Sequence, residues 1–225
     1  MSAWTRFRRS HLALVGLALL AILGSMAILA PWLAPYDPAR QSLIEKRAVP
    51  GVKYWLGADE FGRDILSRVI YGSRVALLVG MLSTVIALVG GLLLGTLAGF
   101  VGGWLDATMM RGLEILLAFP YLLLALAIVA TLGPGALNTT IAVGIWGVPA
   151  VTRIVRGSVL SLRETEYVGA ARALGVSTPA LLWRHILPNI VPGLAVYATL
   201  FMANAILLES ALSFLGLGVQ PPMAS

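Results

Sequence analysis

This chain of 225 residues contains few side chains that could do chemistry, and they form no catalytic set. It has two histidines, His11 and His185, and no cysteine. A disulfide, a thiolate metal site and a cysteine nucleophile are therefore impossible. No stretch matches the phosphate-binding pattern G-x-x-x-x-G-K-S/T. We expect no catalytic residue, no metal site and no cofactor bound by this chain.

One cluster of charged residues lies in "GADEFGRD" (residues 57–64), which has three acids and one arginine. Asp59, Arg63 and Asp64 are candidates for an outer gate or for contact with a binding protein. The alternative is a self-paired loop in which Arg63 bonds to Asp59 or Asp64, a surface pair of little energetic value. A metal site is not expected, because no histidine is near and the loop would face exchangeable water.

Two further polar residues, Asn204 and Glu209, lie within a long apolar stretch. An acid inside a membrane span is a functional hypothesis by default. We therefore assign both residues to a possible pathway or gate. The alternative is that Glu209 lies close enough to the outer end of its helix to reach water.

The segment "EYVGAARALGVSTPALLWRHILPN" (residues 166–189) is polar and punctuated, although long apolar runs flank it. Residues 164–174 are good helix formers. Gly175 follows, where a helix commonly ends in a left-handed residue. Ser177 or Thr178 can cap a second helix, with Pro179 in its first turn.

We expect this second helix to run from about 179 to 187 and to stop near Pro188 and Pro192. Alanines make the first helix slim, and a slim helix with a glycine corner can enter a groove on another protein. The alternative is an interfacial helix on the bilayer, which lacks support because the first helix has no wide apolar face.

Composition places the chain in a membrane. It is 59% hydrophobic and 12% charged, with a mean hydropathy of +0.90, whereas soluble domains have about 25% charged residues. The net charge is +6, and most arginines flank apolar runs. This pattern fits the positive-inside rule and anionic headgroups. No motif for DNA or RNA is present, so no nucleic acid is expected.

The apolar runs predict five membrane spans. The first run exceeds the roughly 7–15 apolar residues of a signal peptide, so we expect it to be retained. The spans are expected at about 12–34, 75–101, 113–132, 139–154 and 190–217. They leave a tail at 1–11, a loop with an amphipathic segment at 35–74, a hydrophilic break at 102–112, and a tight turn at 133–138.

Glycines and prolines inside the spans suggest how the spans pack. Gly91, Gly95 and Gly99 are spaced by four, and small residues at this spacing allow another helix to approach closely. The alternative is that glycine is simply common in membrane helices. Pro120 and Pro149 predict kinks that neighbouring helices make tolerable.

Basic residues suggest the orientation. With the N-terminus inside, nine Lys and Arg lie on the inner side and seven on the outer side. The seven all lie in one longer loop, which constrains topology less than short flanks do. We therefore expect a cytoplasmic N-terminus, a cytoplasmic segment at about 156–189 and an external loop at 35–74.

The stretch "GAARALG…ILP" resembles the EAA loop of ABC-transporter permeases that work with substrate-binding proteins. That loop has an acid, two alanines, a glycine four residues later, and then I-x-L-P. In this chain the matching residues are Ala170, Ala171, Gly175, Leu187 and Pro188. Gly169 stands at the acidic place and His185 at the first isoleucine place.

The resemblance covers nearly the whole chain. "WLGADEFGRDILSRVIYGSR", "AFPYLLLALAIV" and "ESALSFLGLGVQPP" are similar to the dipeptide/oligopeptide/nickel permease subfamily, and most of all to its second permease subunit. This implies an all-α polytopic membrane protein with the type I ABC importer permease fold. In that family the chain continues past "PP" into one more span. We therefore expect five spans here, a missing sixth, and the start of an external loop at 218–225.

The resemblance also implies partners and a mechanism. The EAA loop would be a coupling helix that docks in a cleft of a cytoplasmic ATPase. Its residues here are Glu166, Gly169, Ala170, Ala171, Arg172, Gly175, Leu187 and Pro188. We expect the two alanines to face the ATPase groove. The implied partners are a homologous permease, two cytoplasmic ABC ATPases that bind ATP and Mg, an extracytoplasmic substrate-binding protein, and the lipid of a bacterial or archaeal inner membrane.

Two other function classes remain as alternatives. "DEFGRD" resembles the D-x-x-G-R-R loop of major-facilitator-type secondary transporters, although it precedes the second span and Asp64 replaces a basic residue. A membrane scaffold that transports nothing would leave residues 166–189 unexplained. Among ABC permeases, the substrate stays open between peptides, nickel chelates and glutathione-like thiols.

Overall fold

The computed structural model describes Arg8 and residues 10–220. Regular structure in these residues is helical, apart from an isolated bridge between Ala58 and Asp64, and the all-α prediction is confirmed. The α-helices are α1 (His11–Ile28), α2 (Ala30–Leu33), α3 (Ile65–Val101), α4 (Gly103–Ala118), α5 (Tyr121–Leu132), α6 (Ala136–Arg163), α7 (Glu166–Ala173), α8 (Thr178–Leu181) and α9 (Leu187–Phe214). A 3₁₀ turn spans Leu43–Glu45, and a π-helical turn spans Leu182–Ile186.

The chain divides into two compact units, and the division falls inside α3. Of the described residues, the first unit comprises Arg8, 10–78 and 219–220, and the second comprises 79–218. In the first unit, the segment between α2 and α3 folds back on itself through backbone bonds. The Ser42 N–H donates to the Phe61 carbonyl at 3.1 Å, and the Ala58 N–H donates to the Ala48 carbonyl at 2.9 Å.

In the second unit, α6 is the most extensively buried helix, and it contacts α4, α5 and α9. Helix α3 approaches it along the predicted glycine face. A Cβ on Gly95 would lie 2.7 Å from the Thr152 carbonyl oxygen, and one on Gly99 would lie 2.9 Å from the Val159 Cβ. Real Cβ atoms do not approach so closely, so only glycine fits here. The predicted packing face is confirmed, and its partner is α6.

The break predicted at 102–112 is not a loop, because residues 103–112 belong to helix α4. Two residues with positive φ, Gly102 at 69° and Gly103 at 61°, form the whole connection from α3. The helix then starts at once, with Asp106 in its first turn, where the helix dipole favours an acid. At Pro120 the predicted kink is a full break, and α4 and α5 meet at 93°.

The tight turn predicted at 133–138 is confirmed in its main features. Gly133 and Gly135 adopt φ values of 92° and 142° between α5 and α6. The Asn138 side-chain amide donates to the Leu132 and Gly133 carbonyls, each at 2.9 Å. This amide satisfies carbonyls at the end of α5 that have no helical partner.

The predicted stop near Pro188 and Pro192 is also wrong. Residues 178–214 form one helical run, in which the π-helical turn precedes Pro188. A proline disrupts a helix because it lacks an N–H and clashes with the preceding turn. In the π turn before Pro188, hydrogen bonds join residues five apart instead of four, so the helix continues past the proline. Pro192 lies inside α9.

The predicted count of five spans is not confirmed. By length and composition, three described helical runs can cross a membrane: His11–Ile28, Ile65–Val101 and Thr178–Phe214. The bent pair α4–α5 would make a fourth. The span predicted at 139–154 lies in α6, which is less apolar because it contains three arginines as well as Asn and Thr residues. A helix surrounded by protein does not need the apolar surface that lipid demands.

Candidate functional site

Helix α7 ends in a glycine corner, as the sequence predicts. Gly175 has a φ of +79°. Its N–H donates to the Arg172 carbonyl at 3.0 Å, and the Val176 N–H donates to the Ala171 carbonyl at 3.1 Å. This pair of bonds is the Schellman motif. A Cβ on Gly175 would meet no atom within 4 Å, so its left-handed backbone is the reason for glycine.

One face of α7 is buried within the chain. Val168 is fully buried and Ala171 is 8% exposed, and both join the core of the second unit with Leu181 and Ile186. The expectation that Ala171 faces a partner's groove is therefore wrong. Ala170 and Ala171 are the same residue type, so the sequence alone did not show which of the two is buried.

The opposite face of α7 is open and slim. Glu166, Gly169, Ala170 and Ala173 follow one another at helical spacing, and all four are exposed. A Cβ on Gly169 would meet no atom within 4 Å, so the fold does not require glycine at the family's acidic place. Arg172 is also exposed.

An apolar residue that the sequence prediction missed completes this open surface. Leu174, the last residue before the glycine corner, is 85% exposed. Its position at a helix end, beside three small residues on the open face, was the available signal. Singly exposed apolar side chains are common on protein surfaces, so Leu174 is of interest because it directly adjoins the slim face of α7.

The second helix of the segment begins as predicted, with Ser177 at its N-cap position and Pro179 in the first turn. The Ser177 side chain makes no capping bond. Further along, Leu187 is half-buried and Pro188 is exposed. The Asn189 amide donates to the His185 carbonyl at 2.7 Å.

Three contacts attach the segment and its surroundings to the membrane helices of the second unit. The Arg163 guanidinium donates to the Gly99 carbonyl of α3 at 3.0 Å. The Arg172 guanidinium lies 6.0 Å from the centre of the Phe100 ring. A bidentate ion pair joins α6 to α4; its Nη2–Oδ2 distance is 2.6 Å. The partners in that pair are Arg156 and Asp106.

The charged cluster at 57–64 is bonded internally. The Asp59 Oδ1 accepts the backbone N–H groups of Phe61 and Arg63 at 2.9 and 3.0 Å, and its Oδ2 accepts the Arg63 Nε–H at 2.6 Å. The Asp59–Arg63 pairing fits the self-paired alternative. Burial alone would raise the pKa of Asp59, but the two N–H groups and the Arg63 guanidinium outweigh it and lower the pKa.

Asp64 lies in the same cluster but bonds to different groups. Its Oδ2 accepts the backbone N–H of Ser67 at 2.8 Å and the Ser67 hydroxyl at 2.6 Å. This is an N-cap contact at the start of α3. Asp64 is buried at 3% exposure, and its contacts stabilise a helix end.

The two polar residues of α9 differ in environment. Glu209 is 2% exposed, and its Oε1 accepts the Ser213 hydroxyl at 2.7 Å. The carboxyl group is therefore enclosed by protein and does not reach water at the helix end. Asn204 is exposed, and its amide donates to the Leu200 carbonyl at 2.9 Å.

Two family models match the chain. The model described as the inner membrane component of binding-protein-dependent transport systems matches residues 91–225. The model described as the N-terminal TM domain of oligopeptide transport permease C matches residues 1–50.

Curated relatives match over nearly the whole chain. The di/tripeptide transport system permease protein DppC of Pseudomonas aeruginosa is 45% identical, with 97% of this chain and 74% of the relative covered. The dipeptide transport system permease protein DppC of Bacillus subtilis is 40% identical, with 99% and 70% covered. The glutathione transport system permease protein GsiD of Pectobacterium atrosepticum is 40% identical, with 98% and 73% covered.

A solved structure has the same fold. A chain of the MetNI methionine ABC transporter, in an inward-facing conformation, matches with a TM-score of 0.63 at 20% identity. The match covers 69% of this chain and 77% of that chain. These findings support the permease interpretation and give no support to the facilitator alternative.

Proposed function

Because the chain belongs to the family of inner membrane components of binding-protein-dependent transport systems, we propose that it imports peptides or peptide-like solutes as one of two homologous permease subunits. Members of this family are transport permeases and not enzymes. The named substrates of three relatives, dipeptides, di/tripeptides and glutathione, support this substrate class.

In this proposal the chemical energy comes from other polypeptides. Two cytoplasmic ABC ATPases bind ATP and Mg, and an extracytoplasmic binding protein delivers the solute. The chain lies in the inner membrane with its N-terminus in the cytoplasm. In this orientation, residues 156–189 would lie on the ATPase side and residues 35–74 on the side of the binding protein.

The open face of α7 is the observation that supports the coupling role best. It has no bulky side chain at Gly169, Ala170 or Ala173, and the apolar Leu174 follows directly. A helix of this shape fits into a groove, and covering the exposed leucine lowers the free energy of the complex. Arg163 at the end of α6 and Arg172 on α7 both contact the end of α3, which connects the segment to a membrane helix.

The other candidate residues divide between two roles. Asp59 pairs with Arg63, and Asp64 bonds to Ser67 at the start of α3. We therefore propose that these residues maintain the conformation of the outer loop that the binding protein contacts. Asn204 is exposed on α9, and we propose that it lines the pathway. Glu209 is enclosed, and we propose that it fixes the end of α9 through Ser213.

A crosslinking experiment tests the coupling role, and the absence of cysteine in the chain makes it direct. Ala170→Cys and Leu174→Cys would each be paired with cysteines in the ATPase cleft within the assembled transporter. We expect both to form disulfides. Ala171→Cys is the matched control, because Ala171 lies on the same helix next to Ala170 but its side chain is buried. It should crosslink poorly. Equal crosslinking at all three positions, or failure of the ATPases to copurify, would contradict the proposal.

A further inference from the structure

A cavity of about 340 Å³ opens in the second unit beside the break between α4 and α5. Helices α5, α6 and α9 supply its lining residues. These are Tyr121, Trp146, Asn204, Leu207, Leu208 and Ala211. Its volume lies at the lower end of the roughly 300–1,000 Å³ of small-molecule sites.

Three polar groups at this cavity are unused by the protein. Within the described part of the chain, the Tyr121 hydroxyl and the Trp146 indole N–H form no hydrogen bond. The Asn204 amide nitrogen bonds to its own helix, and the side-chain oxygen accepts nothing from any described residue. The cavity thus offers a donor, an acceptor and a hydroxyl that can be either.

Aromatic packing holds these groups in place. The Trp146 and Tyr121 rings lie 5.6 Å apart at 46°, and Trp146 stacks on Phe201 at 5.5 Å. Phe201 is 3% exposed, and a Cβ on Gly147 would lie 2.6 Å from the Ala87 Cβ. The indole therefore rests on a closely packed base and has little freedom to turn away.

The lining contains no charged side chain among the described residues. Without charged side chains in its lining, such a site cannot form ion pairs with charged groups of a solute. Uncharged donors and acceptors between aromatic rings suit a flat, uncharged polar group such as an amide, which can stack on a ring and bond at both its N–H and its C=O.

We propose that this cavity binds the amide bond of a peptide substrate in transit, with the Asn204 side-chain oxygen as acceptor for the substrate N–H. The proposal rests on the proposed function, because the amide is the group common to the dipeptides, di/tripeptides and glutathione named for the relatives. Tyr121 and Trp146 flank the amide and supply donors for its carbonyl.

The test uses the complete transporter in proteoliposomes and two probes, glycyl-leucine and its ester analogue, which lacks the amide N–H. Both are supplied at concentrations that saturate the binding protein. Asn204→Leu should lower the uptake of glycyl-leucine per ATP hydrolysed about fivefold, as expected for one lost neutral hydrogen bond. It should leave uptake of the ester unchanged. Asn204→Asp keeps an acceptor oxygen and should retain more glycyl-leucine uptake than Asn204→Leu.

Thr199→Val is the control, because Thr199 is exposed on the same helix outside the cavity. It should transport both probes at the normal rate. Equal losses for both probes in Asn204→Leu would assign Asn204 a structural role and overturn the inference, as would no loss for either. A wild-type transporter that imports neither probe with ATP would instead overturn the proposed function.

Discussion

At the scale of single residues, Gly175 combines a positive φ with open space around it. Because a Cβ at this position would have no atom within 4 Å, substitution costs only backbone strain, about 1 kcal/mol for most side chains. Gly175→Val should therefore leave most of the protein folded but misdirect the helix that begins at Thr178. We expect substrate uptake, normalised to the permease level in the membrane, to fall far more than the level itself.

Gly175→Asn is the matched comparison, because asparagine tolerates the left-handed region better than valine. It should transport at a rate between the wild type and the valine variant. Uptake that falls only in proportion to protein level would make Gly175 a folding residue and contradict its part in coupling.

Asp59 gives a residue-scale prediction for pH. Burial raises its pKa, but the N–H groups of Arg63 and Phe61 and the Arg63 guanidinium together hold that pKa below the ordinary 3.8. A carboxyl group with a lowered pKa stabilises the fold above its ordinary pKa, and this stabilisation is lost as pH falls through the lowered value. Protection of the amides of residues 58–64 from hydrogen exchange, relative to the intrinsic rate at each pH, should therefore fall below about pH 4.

Asp59→Asn should remove most of the pH dependence of this protection, because the amide cannot titrate. Glu60→Gln changes the exposed neighbouring acid and should leave the pH profile as it is. A wild-type profile that stays flat far below the ordinary pKa of an aspartate, or one that Glu60→Gln alters as much, would show that Asp59 does not hold the loop.

At the scale of helices, the closest contact is that between α3 and α6. A leucine at Gly95 would collide with the Thr152 carbonyl and with Val155. Overpacking of this kind costs about 1–3 kcal/mol. Gly95→Leu should therefore lower the thermal unfolding temperature of the purified chain in detergent by several degrees. Gly157→Leu, on an open side of α6, should change it little; equal shifts for both variants would contradict close packing at Gly95.

The helix scale also separates what sequence could and could not predict. Gly175, the glycine face of α3 and the turn at 133–138 depend on local backbone rules, and all three were predicted correctly. The Asp106–Arg156 pair joins residues 50 positions apart, and nothing local indicates it. The inward position of Ala171 was missed because Ala170 and Ala171 are adjacent and identical, so residue type alone does not show which of the two lies inside.

At the scale of the whole molecule, the chain presents large exposed apolar side chains on each of its long helices. We expect that the chain alone transports nothing, and that a homologous permease must complete the pathway. Native mass measurement of the purified transporter should find two permeases and two ATPases. ATP-dependent uptake by vesicles that contain this chain and the ATPases, without the second permease, would refute this expectation.

The unbroken helical run from Thr178 to Phe214 has a mechanical consequence. Thr178 and Asn204 lie on one shaft, separated by about 39 Å at 1.5 Å per residue. A continuous helix can rotate about its axis as well as move along it. If the π turn at Leu182–Ile186 became an ordinary α-helical turn, α9 would rotate about its own axis by about 100°, the angle of one residue. Such a rotation would change the direction in which the Asn204 face of the helix points, and it would require repacking of Phe201, Ala205 and Leu212, which are buried in the core of the second unit.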